Sequence, residues 1–125
     1  MKSALAASMI IALFCFASCV KEGPGGKSKL TVLVQHHGKN VPGSTVYIKY
    51  NAKDSPGTDV SKYDSSLKLD TGHLADHVHF HELQKGDYYL YAVGFDSTIN
   101  QQVRGGLYVK LKKAEEKDVT VPVTE

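Results

Sequence analysis

Three of the six histidines in this chain fall at alternate positions, His77, His79 and His81. Alternate residues of a β-strand point the same way with about 6 to 7 Å between their α-carbons, so two imidazoles can converge on one ion. The only cysteines are Cys15 and Cys19. With neither available as a ligand, imidazole, phenolate and carboxylate donors favour Zn, Cu or Fe over soft-metal chemistry. His36, His37, His73, Asp76 and Glu82 are the further residues that could complete such a shell. A stripe of Tyr89, Tyr91, Val93 and Phe95 follows the histidines, and Tyr89, Tyr91 and Phe95 are candidate partner contacts, because aromatic rings combine apolar area with a hydrogen-bonding edge. An ordinary half-exposed sheet face accounts for the histidine pattern as well, and the sequence favours that reading over a metal site. No Ser/His/Asp spacing, Gly-rich phosphate loop or carboxylate pair points to a conventional hydrolase or transferase, so the expectation is a protein that is not an enzyme, with no cofactor assured.

Cys19 offers a different chemistry. Lys2 precedes an apolar run from Ala4 to Ala17, which closes on the small residues Ala17 and Ser18 directly before Cys19. The run is shorter than the roughly 20 residues that span a bilayer, and its small-residue end suits a peptidase. This is the pattern of a bacterial lipoprotein signal. Residues 1–18 are expected to be removed, Cys19 to carry lipid, and residues 19–29, rich in Gly and Lys, to form a flexible tether. More than one acyl chain makes such an anchor stable. Val20 after the cysteine resembles the outer-membrane sorting pattern, and Lys21 with Glu22 resembles the charged export signals of surface lipoproteins in Bacteroidetes. The expected location is the cell envelope, anchored at the outer membrane, with its face left open.

The elements that must position these residues read as all-β. About 107 residues follow the signal, enough for one small domain. Net charge is +2 over the chain, and the lysines are scattered among acidic residues, which is no footprint for nucleic acid. β-Branched and aromatic runs alternate with turn residues and predict strands at Leu30–His36, Thr45–Tyr50, Ser66–Asp70, His77–His81, Tyr88–Phe95, Leu107–Leu111 and Asp118–Val123. Seven short strands in one domain of residues 30–125 predict a β-sandwich. Tyr88, Leu90, Ala92 and Gly94 share one face, as do Val78 and Phe80. A hairpin turning at Gly86 would then set the histidine row against the tyrosine stripe on its outer face. Leu30, Val32, Val34, Val46, Ile48, Leu67, Leu69, Val109, Leu111, Val119, Val121 and Val123 are the other core candidates. The Lys53–Asp64 loop is long enough to lie over part of an outer face.

Phe80, Leu83, Gly86, Tyr88, Leu90 and Ala92 form the pattern FxxLxxGxYxLxA, with Asp70 and Gly72 upstream and Val41, Pro42, Gly43, Thr45 and Val46 earlier. This resembles the prealbumin-like modules known as carboxypeptidase regulatory-like domains and collagen-adhesin B-type repeats, and implies a seven-stranded Greek-key sandwich. The segment Gly86–Asp96 also resembles small Bacteroidetes lipoproteins. Asp76–His81, DHVHFH, is similar to the HxHF element of intradiol dioxygenases. That resemblance implies ferric iron held by His77, His79 and two tyrosines. The reading taken forward is a lipid-anchored noncatalytic binding or scaffolding module of the bacterial envelope, with the membrane and an envelope protein or glycan as partners. A metal-binding lipoprotein using the HxHxH strand is the alternative, and a small intradiol-like iron enzyme the remote one.

Overall fold

The computed structural model describes residues 20–69 and 77–125. Residues 1–19, with the expected signal and Cys19, and residues 70–76, with Asp70, Gly72, His73 and Asp76, lie outside the described residues. The chain is an all-β domain of two packed sheets. Its strands are β1 (Pro24–His36), β2 (Lys39–Asn40), β3 (Thr45–Tyr50), β4 (Ser65–Lys68), β5 (His77–Leu83), β6 (Gly86–Asp96), β7 (Gln101–Leu111) and β8 (Glu116–Pro122).

β1 organises the first sheet. It pairs antiparallel with β5 through Leu30–Leu33 and parallel with β8 through Lys29–Gln35, so those partners occupy its two edges. The two-residue β2 folds back on the end of β1 through a tight turn at His37 and Gly38. The second sheet runs β4-β3-β6-β7, antiparallel throughout. Alternation along the strands gives each sheet an apolar inner face. Leu30, Val32, Val34, Val78, Phe80, Val121 and Val123 face Val46, Ile48, Leu90, Ala92, Val103, Val109 and Leu111, all of them buried. Each large aliphatic contributes about 1.5 to 3 kcal/mol by leaving water.

The predicted hairpin of β5 and β6 is not formed. β5 pairs with β1, β6 pairs with β3 and β7, and the short link between them crosses from one sheet to the other. Its cause is local. Glu82 takes a left-handed φ of +55°, which breaks the alternation so that His81 and Glu82 are both exposed before Leu83 turns inward. A period of two shows which residues share a face and leaves open whether a turn joins neighbours or opposing sheets.

Other boundaries also moved. β1 starts at Pro24, so half of the segment read as tether belongs to the sheet. Ser28 is buried there, its hydroxyl donating to the Lys112 carbonyl at 2.6 Å and accepting from the Glu115 amide at 3.2 Å. Leu67, expected in the core, is 38% exposed because β4 is an edge strand. Val119 is only partly buried, whereas Val41, Leu83 and Val103 join the core.

Tyr88 fastens the two sheets at one end. It is fully buried on the second sheet, and its hydroxyl accepts from the Gly23 amide at 2.9 Å while donating to the Gln84 carbonyl at 2.6 Å. The other end is fastened by backbone. Val123 donates to Gln35 at 2.9 Å, and the next residue, Thr124, exchanges two 2.9 Å hydrogen bonds with Arg104 of β7. Gly105 permits this close pass, since a side chain there would run into the Pro122 carbonyl.

Tyr88→Ala is expected to destabilise the domain by about 3 to 5 kcal/mol in chemical denaturation. Tyr88→Phe, which keeps the ring and strands the Gly23 amide, should cost about 1 to 3 kcal/mol. A loss below about 1 kcal/mol for the alanine variant would contradict the inward placement of this ring.

Candidate functional site

Three groups of side chains could do chemistry, and the sandwich keeps them apart. The first is the histidine row on the outer face of the first sheet. Its rings run edge to edge, with centroids 4.6 Å apart between His77 and His79 and 5.6 Å between His79 and His81. His79 pairs across the ladder with Thr31, which pairs in turn with Asp118. The Thr31 hydroxyl lies 2.9 Å from His79 Nδ1 and fixes that ring. Desolvation first, and then Lys29 and the flanking histidines, lower the His79 pKa, so its neutral form is favoured.

The second group is the tyrosine stripe, which lies on the other sheet. All seven tyrosines belong to β3, β6, β7 or the loop over them. Among the described residues, the expected cross-strand pairing of the histidine strand with the tyrosine strand is therefore not formed. The loop covers this face, as its length suggests. Tyr63 stacks on Tyr91 at 5.6 Å, Tyr47 flanks the pair at 5.9 and 6.2 Å, and Tyr91 is 7% exposed as a result. Asp59 caps the single 3-10 turn of the loop (Val60–Lys62), and Asp64 binds the Tyr50 amide at 2.7 Å, pinning the cover to β3. Of the three aromatic contact candidates, Tyr91 is covered, Tyr89 is half-buried with its hydroxyl against Gly106, and Phe95 is 51% exposed.

The third group was only partly foreseen. His36 closes the inward face of β1, after Leu30, Val32 and Val34, and is 3% exposed. Its Nδ1 donates to Asp96 Oδ2 and its Nε2 to Glu125 Oε2, both at 2.7 Å. A ring that donates from both nitrogens is an imidazolium. The Asp96 hydrogen bond raises the His36 pKa most, burial opposes it, and Glu125 adds to the rise. Asp96 is held at about 2, chiefly by the Thr98 hydroxyl, which donates at 2.6 Å, and next by His36. Glu125 is lowered by its own backbone amide and then by His36. The His37 ring sits beside this cluster, 4.1 Å from that of His36.

A signal for the third group exists in the sequence. The inward parity of β1, β6 and β8 continues past the apolar residues to His36, Asp96 and Glu125 respectively. Charged groups at the ends of three core faces must meet one another where the strands end together, or pay the cost of unpaired burial. His36 and His37 entered the sequence reading as supplementary ligands; Asp96 and Glu125 did not.

Compared with known protein families and with curated proteins, the chain matches none.

The cluster has a pH signature. The raised His36 pKa contributes stability that is present below 6.5 and lost as pH rises through its folded value. The lowered Asp96 pKa contributes stability that is present above 3.8 and lost as pH falls through about 2. In chelator, the melting-temperature gap between wild type and His36→Gln should therefore be widest between pH 3.8 and 6.5 and narrow on either side. A gap that does not vary with pH would contradict the doubly paired imidazolium.

Proposed function

We propose that this chain is a lipid-anchored, noncatalytic binding module of the bacterial envelope, held at the outer membrane through Cys19 and built on a prealbumin-like Greek-key sandwich. The observation that carries the anchor is the place where the chain enters the fold. Val20, directly after Cys19, lines two adjoining clefts at one pole of the sandwich, together with Lys27, Lys85, Lys110, Lys112 and Lys113. An acyl chain on Cys19 brings these five lysines to the headgroup layer, where each basic residue near an anionic surface contributes about 1 kcal/mol. One lipid chain with a basic patch, or two chains, gives stable anchoring. The arrangement of eight strands, one more than expected, in two packed sheets supports the prealbumin-like resemblance.

On this reading the pole of His36, Asp96 and Phe95 is directed away from the bilayer. β1 runs from the basic pole to this one. Phe95 stands beside a small cleft that includes Asn40, Pro42 and Thr98, an apolar ring next to amide and hydroxyl groups of the kind that suits an envelope protein or glycan. The outer histidine row supports a second reading, a metal-binding lipoprotein. Two rings 4.6 Å apart can present a pair of imidazole nitrogens to Zn, Cu or Fe.

Cys19→Ala in the full chain should abolish palmitate incorporation and move the protein from the detergent phase to the aqueous phase. Unchanged lipid labelling would contradict the anchor. Crosslinking in intact envelopes, with Phe95→Ala as the comparison, should lose its partner adduct if the distal pole is the contact surface, and keep it if the surface lies elsewhere.

A further inference from the structure

We propose that His36, His37 and Glu125 form a binding site for a divalent first-row transition ion of the zinc class, with Asp96 as the carboxylate that orients His36. Among the described residues these three bring one ligand atom each to within 4.8 Å of one another, and the outer histidine row does not. The site stands on its own geometry and is independent of the lipid anchor.

Neighbouring residues on a strand normally point to opposite faces, so a His-His pair cannot serve one ion. The turn here defeats that rule. His37 takes a left-handed φ of +51° and Gly38 a φ of +77°, the two central residues of a two-residue hairpin loop. This turn swings the His37 ring back to 4.1 Å from His36.

The buried member of the site is already oriented for ligation. His36 Nδ1–H donates to Asp96, the arrangement by which an outer carboxylate sets the tautomer and leaves the other nitrogen free to ligate. Nε2 then points at Glu125, and in the metal-free protein a proton lies between them. An ion binds by taking the place of that proton, which goes to solvent. Ligand atoms about 2.0 to 2.2 Å from a tetrahedral ion lie about 3.3 to 3.6 Å apart, wider than the present 2.7 Å. Glu125 can withdraw to that spacing, because its side chain is 50% exposed. His36 is fixed while His37 and Glu125 face solvent, which gives the ion an entry path. Two imidazoles and a carboxylate suit zinc and leave a fourth position for water or a partner's donor group.

Zinc alone is the probe, titrated into full-length protein in detergent against a competing chromogenic chelator. Wild type is expected to bind one equivalent and to melt at a higher temperature with zinc present. His37→Ala and Glu125→Gln should each weaken zinc binding at least tenfold, and His37→Ala, at an exposed position outside the His36 ion pairs, should keep the zinc-free melting profile. Asp96→Asn should weaken it by about 10- to 100-fold through the orientation of His36. His77→Ala/His79→Ala should bind zinc as wild type does. Unchanged affinity in His37→Ala, loss confined to the His77→Ala/His79→Ala variant, or no zinc bound by wild type would each overturn the proposal.

Discussion

β1 is the constraint on which the rest of the structure depends. It accepts β5 along one edge and β8 along the other over nearly the same residues, and its thirteen residues run the length of the domain. Its inward side chains supply the spine of the core, and its ends define the two poles. At the first pole Gly23, just before the strand, is tied to Tyr88 of the opposite layer and to Gln84 at the end of β5. At the second, His36 is tied to Asp96 of the opposite layer and to Glu125 beyond β8. The sandwich is therefore bolted at both ends by hydrogen bonds and filled between them by aliphatic packing.

Pairing β5 with β1 has a functional consequence. It places the histidine row on one outer face and the aromatic stripe on the other, with the core between them. Sheets packed face to face stand about 10 Å apart, so no ion can be shared by the two outer faces. Chemistry that needs imidazole and carboxylate together is instead available at the pole, where inward-facing residues run out of apolar partners. The loop that spans 51–64 closes most of the aromatic face with Tyr63 and leaves Phe95 at its end.

Much of this was legible in the sequence. Thr45–Tyr50 is a strand with the bounds its alternation predicts, and Tyr88, Leu90 and Ala92 face inward as the spacing requires. Leu67 was misplaced because pattern does not reveal that a strand lies at an edge. The β5 to β6 crossing was missed because a left-handed Glu82 leaves no mark in composition: glutamate is not a residue that signals positive φ. The polar cluster was half visible. Parity alone puts His36, Asp96 and Glu125 on inward faces, but only the parallel pairing of β8 with β1, a contact between chain ends some ninety residues apart, delivers Glu125 to His36.

The assignment of the histidine row and the tyrosine stripe to different sheets is the central feature of the fold. Nuclear Overhauser contacts in isotopically labelled protein test it most directly. The account predicts cross-strand backbone contacts from Thr31 to His79 on one side and to Asp118 on the other. Backbone contacts from His79 to Tyr89 or Tyr91, in place of those to Thr31, would restore the hairpin and contradict the account.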